Sequence, residues 1–368
     1  MLRYGIIGMG AMGREHAKNL SFIEGASVTA ISDPDSISRE LAVKQLGDQV
    51  EVFTDHKELL DSGLVDVVII ATPNFTHVDI LEDALKTSLH LFIEKPLCTT
   101  IADCLKVIQW SKNRSGLVWM GLEYRYMPPV AELISLVHSG AVGEVQQVSI
   151  REHREPFYPK VGNWNRFTSK TGGTLVEKCC HYFDLMDHIA KERPNRVFAS
   201  GGQRVNFLDE SHDGAKADML DSAYVILEYP SGKRAMLDLC MFAENTVDRE
   251  HISVTGSEGK AESFLPSLEL RYGKRSAVGN FRQWSHDASK PMVESRKVWD
   301  ESIKYIGFHY GASYLEHLKF FDSIKSERAP DVSLEDGLRS VASGLAAQMS
   351  IAQARPVLMS EVLPAGWN

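Results

Sequence analysis

The chain has 368 residues, long for one hydrophobic core, so two domains are expected. Hydrophobic residues make up 43% and charged residues 24%, with 40 Lys and Arg against 49 Asp and Glu for a formal net charge of −9. This composition excludes wholesale disorder, and the negative charge argues against nucleic acid or anionic lipid, leaving a small molecule as the expected partner.

In chain order, Tyr4 to Gly8 reads as a short buried strand, Ala11 to Leu20 as a helix, and Val28 to Asp33 as a strand. Ser36 to Leu46 follows as a helix, Val65 to Ala71 as a strand, Val78 to Lys86 as a helix and His90 to Glu94 as a strand. Such alternation means βαβ units, hence a parallel sheet covered on both faces. Near Glu144 the pattern changes. Val145 to Ile150, Ala223 to Tyr229, Ala235 to Met241 and Ile252 to Thr255 are strand-like, and Pro230-Ser231-Gly232 makes a turn between two of them, which predicts antiparallel sheet. Two helices close the chain, one over Tyr314 to Ser326 and one toward Ala352 that starts with Ser333 and Asp336 as a capping box. The fold class is α/β: a doubly wound parallel domain over residues 1–122 and an α+β domain with a large, mostly antiparallel sheet over 123–368.

Apolar runs such as Val67 to Ala71 fall far short of the ~20 residues of a membrane span. The first residues meet Arg14 and Glu15 too early for a signal peptide, and five cysteines without a CxxC pair suit reduced thiols, so a cytoplasmic location is expected.

Gly8-Met9-Gly10-Ala11-Met12-Gly13 is a GxGxxG between the first strand and the first helix. Its glycines permit a tight turn and let backbone approach a pyrophosphate, whose charge the helix N-terminus stabilises. Asp33 closes the second strand, where a carboxylate holds the adenosine ribose hydroxyls and repels a 2′-phosphate. NAD is therefore expected, with NADP open because Arg39 is near enough in sequence to accommodate the phosphate. Ala71-Thr72-Pro73-Asn74-Phe75-Thr76-His77 and Glu94-Lys95-Pro96 end two further strands, where ligands of parallel sheets bind.

These motifs, in this order and with the later Gly172-Gly173 to Asp184 block, resemble the Gfo/Idh/MocA oxidoreductases, the glucose-fructose oxidoreductase and inositol dehydrogenase group. The resemblance covers nearly the whole chain. It implies an N-terminal Rossmann domain, a nicotinamide cofactor touching Gly8, Gly10, Ala11, Met12, Gly13, Asp33, Thr72, Pro73, Asn74, His77, Glu94 and Lys95, and hydride transfer at a hydroxyl-bearing carbon of a sugar, inositol or related polyol. It further implies a homodimer or homotetramer. Two rivals stand beside a dehydrogenase: an NAD-dependent glycosidase of the same fold, and a cofactor-sensing regulator without catalysis.

A helix is predicted from about Glu177 to Ala190, which places Glu177, His181, Asp184 and His188 on one stripe. Spacing alone leaves three readings: an ion-paired solvated face, a divalent-metal site of Glu177, His181 and Asp184, or an acid–base pair for a hydroxyl proton. The resemblance favours the third and implies no metal, with Lys95, His181 and Glu177 catalytic and Glu177 orienting His181. The family position of Glu177 is usually Asp, and Lys178 beside it is expected to face solvent. Arg125, in Glu123-Tyr124-Arg125-Tyr126, and Trp164, between Asn163 and Asn165, are expected at the substrate with Lys95, His181 and His309.

Overall fold

The computed structural model describes residues 1–275 and 292–367. Its first elements are β1 (Leu2–Ile7), α1 (Ala11–Leu20), β2 (Ala26–Ser32), α2 (Ser36–Leu46), β3 (Glu51–Phe53) and α3 (His56–Asp61). They continue with β4 (Val67–Ile70), α4 (His77–Ala84), β5 (His90–Glu94), α5 (Ile101–Trp110) and β6 (Val118–Gly121). The six strands form one parallel sheet in the order β3-β2-β1-β4-β5-β6. Val67, Val68, Ile69 and Ile70 are fully buried in β4, as β-branched side chains suit a strand covered on both faces. The strand order reverses between β1 and β4, and such a switch point opens a crevice at the carboxyl ends of the strands.

Beyond β6 come α6 (Pro128–His138), β7 (Val145–His153), α7 (Thr168–Thr171), α8 (Thr174–Glu177), α9 (Cys180–Ala190) and β8 (Arg196–Gly202). The small hairpin β9 (Ser211–His212) and β10 (Ala215–Lys216) leads to β11 (Ser222–Glu228), β12 (Arg234–Cys240), β13 (Glu250–Gly256), β14 (Gly259–Leu265), β15 (Glu269–Lys274) and β16 (Glu294–Lys297). The last elements are α10 (Ala312–Lys325), α11 (Leu334–Gln353) and β17 (Val357–Leu358). Among the described residues, a nine-stranded sheet runs β16-β15-β14-β13-β7-β12-β11-β8-β17. Only the β7 and β12 neighbours are parallel in it, so the large, mostly antiparallel sheet expected from the sequence is present. Ser333 caps α11 reciprocally with Asp336, as their spacing indicates.

The chain divides into two units, one of Met1–Glu123, Tyr158–His181 and Ile303–Gly344, the other of Tyr124–Phe157, Tyr182–Ser302 and Leu345–Asn368. A linear reading draws a single boundary after residue 122; the structure instead returns two later segments to the first unit. Buried side chains explain the return of the second of these: Trp119 Nε1 of β6 donates to Glu316 Oε1 at 3.0 Å, and His16 Nδ1 of α1 lies 2.8 Å from His317 Nε2, tying α10 to the first unit. In the second unit, strand alternation buries Val197, Val225 and Leu237 on the inner face. On the outer face, register aligns Phe198, Ile226 and Met236 in one apolar row, 43%, 39% and 39% exposed.

The turn after β1 is set by close approach. A Cβ on Gly13 would stand 1.9 Å from the Gly8 carbonyl oxygen, whereas one on Gly10 would meet nothing within 4 Å. Gly13→Ala should therefore lower unfolding free energy by about 2 kcal/mol or more, read as a lower denaturant midpoint, while Gly10→Ala leaves the midpoint unchanged. Equal midpoints for Gly13→Ala and the parent chain would refute this packing.

Candidate active site

The carboxyl end of β1 leads into α1 through Gly10, whose place at the helix start carries no side-chain cap and no acidic residue in the first turn. Backbone N–H groups and the positive end of the helix dipole thus face a turn that is open on the Gly10 side. Asp33 follows β2 and is buried, its Oδ2 accepting from Met9 N at 2.6 Å and its Oδ1 from Asp35 N at 2.8 Å. The carboxylate is thereby fixed against the glycine turn, with lone pairs left for a ribose diol. Arg39 Nη1 donates to the carbonyls of Asp33 and Pro34, at 2.7 and 2.9 Å. An open glycine, an uncapped helix start and an anchored carboxylate fit a dinucleotide.

At the ends of β4 and β5 the loops are stapled together. His77 is fully buried, with Nδ1 2.9 Å from the Pro96 carbonyl and 3.3 Å from that of Leu97, and Nε2 3.2 Å from that of Thr72. Burial holds its pKa below the ordinary histidine value, against the opposite pull of these carbonyls, and the neutral ring donates through one of its two nitrogens. The Thr76 hydroxyl donates to that of Thr72 at 2.9 Å within the first loop. Asn74 Nδ2 donates to the Thr171 carbonyl at 3.1 Å and to the Glu177 carboxylate.

Lys95 Nζ donates to the backbone carbonyl of Glu177 at 2.9 Å. Burial opposes its charge, but Glu177, Cys180 and Glu94 outweigh burial and Lys178, and the ammonium is held above its ordinary pKa. The Glu177 carboxylate accepts from Lys160 Nζ at 3.1 Å as well as from Asn74. Burial would raise it, yet Lys160, Lys95 and the Asn74 amide pull it down to about 2. His181, 2% exposed, is driven well below its ordinary value by burial and then by Lys95, against the opposite pull of Glu123. The site thus joins a charged lysine to a neutral imidazole.

The single helical stripe expected from Glu177 to His188 is not formed. Helix α8 ends at Glu177 and α9 begins at Cys180. Lys178 N and Cys179 N both donate to the Thr174 carbonyl, at 3.0 and 3.4 Å, so the regular ladder slips between the two helices. Glu177 accordingly bonds Asn74 and Lys160 instead of orienting His181. Lys178 is buried, 5% exposed, where the sequence reading favours solvent.

His309 Nδ1 lies 2.9 Å from Glu123 Oε1, and the Ser313 hydroxyl donates to Oε2 of the same carboxylate. Burial opposes ionisation of Glu123, but His309, His181 and Ser313 hold it well below the usual carboxylate range. Sequence reasoning singled out Arg125 from the same tetrapeptide and passed over Glu123. Its position two residues beyond the buried strand end at Gly121 was the available signal. Arg125, in the second unit, has Nε 2.7 Å from Asp184 Oδ2, and Nη2 bonds Oδ1, so both edges of its fork meet that carboxylate. Trp164 packs edge-on against Phe75, ring centroids 6.3 Å apart, with Lys160 Nζ 4.4 Å from its centroid.

Residues 2–122 match the model described as the oxidoreductase family NAD-binding Rossmann fold, and residues 134–359 match the family's C-terminal alpha/beta domain. The chain belongs to the Gfo/Idh/MocA oxidoreductases. Its glycine turn and Asp33 lie within residues 2–122, which match that NAD-binding Rossmann domain. A myo-inositol 2-dehydrogenase of Thermotoga maritima is 29% identical, over 98% of this chain and 100% of that one. A 2,7-anhydro-N-acetylneuraminate hydratase of Escherichia coli is also 29% identical, over 65% of this chain and 61% of the relative. Among solved structures, a probable dehydrogenase from Thermotoga maritima superposes with a TM-score of 0.76 at 27% identity, covering 98% of this chain and 100% of that one.

Protonation sets a pH signature for a Gfo/Idh/MocA oxidoreductase working in the oxidative direction. A base is competent above its pKa and lost as pH falls through it; should His181 be that base, burial and Lys95 hold it well below the ordinary histidine value, while Lys95 stays charged above its own ordinary value. In a pH–rate profile, kcat/KM should complete its rise below 6.5 and keep its plateau through neutrality. A rise centred at or above pH 7 would contradict this assignment.

Proposed function

We propose that this oxidoreductase is an NAD-dependent dehydrogenase of a sugar, cyclitol or related polyol. The observation that carries the reading is the pairing, in one unit, of a half-buried lysine kept charged and a buried histidine kept neutral. NAD, when bound, accepts the hydride from the carbinol carbon. Lys95 donates a hydrogen bond to the reacting oxygen and stabilises its developing negative charge, while His181 takes the hydroxyl proton. Glu177 holds Lys95 through its carbonyl and keeps it charged through its carboxylate. Trp164 offers an aromatic face to sugar C–H groups, and His309 a polar contact to a hydroxyl. The name of the Thermotoga relative supports a polyol substrate.

A screen of polyols and sugars with NAD and NADP, read by reduced-nicotinamide absorbance, tests the reading. NAD should bind more tightly than NADP, because Asp33 repels a 2′-phosphate and Arg39 is directed to backbone carbonyls, and Asp33→Ala should narrow the gap. His181→Ala and Lys95→Ala should each lower kcat by ~10²- to 10⁴-fold with NAD affinity nearly unchanged. The relative named as a hydratase favours a second reading, a net redox-neutral reaction, which turnover without accumulating NADH would reveal. Near-normal turnover by His181→Ala would remove that residue from the mechanism.

We also infer a homo-oligomer in which a two-fold axis brings the Phe198, Ile226 and Met236 row against the same row of a second copy. Ile226→Glu should reduce the mass measured by light scattering, and a monomeric parent chain would exclude the inference. Five free cysteines suit the reducing cytoplasm. No helix among the described residues is long and apolar enough to cross a membrane.

A further inference from the structure

A histidine that gains a proton beside two ammonium groups needs an anion close by, since like charges in a buried site disfavour its charged form. The Glu177 carboxylate is occupied by Asn74 and Lys160. Two other buried carboxylates leave the same sheet edge. Glu94 ends β5 and pairs in register with Gly121 of β6, and Glu123 follows two residues later, so Glu94-Lys95 and Glu123 emerge side by side. Glu94 is engaged from below: Oε1 lies 2.8 Å from His16 Nε2, and Oε2 accepts the Lys95 backbone N–H at 3.1 Å. Glu123, 3% exposed, instead meets His309 at 2.9 Å and accepts the Ser313 hydroxyl. Ser313 and His317 stand four residues apart on α10, so one helix face backs both carboxylates, His317 reaching Glu94 through His16.

We propose that Glu123 is the positioning carboxylate of the reaction, holding His309 in the site and supplying the negative charge against which His181 takes up the substrate proton. The proposal rests on the dehydrogenase reading above and gives Glu123 the part that spacing assigns to Glu177. In the oxidative step His181 would take the hydroxyl proton as the carbinol becomes a carbonyl, a bound nicotinamide would supply the hydride acceptor, and Glu123 would stay ionised. The groups acting on His181 are Lys95 after β5, Glu123 after β6, Lys178 between α8 and α9, and His309 ahead of α10. Of these, Glu123 pulls toward the imidazolium and the three cations or potential cations pull away. Glu123 itself is addressed by His309, His181 and Ser313, and His317 feels its charge.

The test is a histidine-selective NMR titration of the full chain, which needs no substrate, joined to kinetics on a substrate from the screen. Glu123→Gln keeps the shape and removes the charge, so the His181 titration should move to still lower pH, whereas Glu177→Gln should leave it within about 0.2 units. Glu123→Gln should also lower kcat about 10- to 100-fold with the NAD dissociation constant unchanged, and the acid limb of kcat/KM should follow the NMR shift. Glu123→Asp should restore part of kcat and give an intermediate titration, and it serves as the readout should the Gln variant not fold. In a His181→Ala background, Glu123→Gln should cost less than threefold. An unmoved His181 titration in both Glu123 variants, or a full kcat loss in the His181→Ala background, overturns the proposal. Absence of polyol oxidation by the parent chain would instead sink the dehydrogenase reading, with the NMR result still deciding the Glu123–His181 coupling.

Discussion

Keeping the half-buried Lys95 ammonium charged is the constraint on which the rest of the site in the first unit depends. Withdrawing such a cation from part of its water is costly unless anions and hydrogen-bond acceptors take the place of that water. The fold meets the cost with several groups drawn from distant parts of the chain. The Glu177 carbonyl accepts a hydrogen bond from Nζ, the Glu177 carboxylate lends its charge, and Glu94 adds its own from the preceding position. Each of those is itself held: Glu177 by Asn74 and Lys160, and Glu94 by His16.

The same cation sets the state of His181. A positive charge next to a buried imidazole reinforces desolvation, so the ring stays neutral and able to accept a proton. The protonation states of the two residues are thus separated by environment, with the residue of ordinarily higher pKa pushed up and that of ordinarily lower pKa pushed down. Beneath them, the His16, Glu94 and His317 chain and the Glu123, His309 and Ser313 group form a buried polar layer seated on α10. Such a layer fixes its members strongly when its bonds are made, because each unmade bond in low dielectric is expensive.

The turn that fits a dinucleotide is built more simply, by backbone. Gly13 brings α1 against the turn, Gly10 leaves it open, and Asp33 is anchored to the turn by Met9 N. Local geometry suffices for such a turn because phosphates in general are recognised by N–H groups and a helix dipole, which need no side chain from elsewhere.

That difference separates what could be read from the sequence from what could not. The parallel sheet, the glycine turn, Asp33, the capped last helix and the change to antiparallel strands were legible, since each depends on periodicity or on residues close together in the chain. The family was legible from the order of its motifs. The site was only half legible: Lys95 and His181 stood out, but the link from Glu177 to His181 assumed one continuous helix, and the break at Lys178 and Cys179 breaks that link. Glu123 was invisible because its partners His309 and Ser313 lie nearly two hundred residues away. Spacing reports neighbours along a helix or strand; which buried charge faces which is decided by tertiary packing, where desolvation makes the partner, not the residue, determine the protonation state.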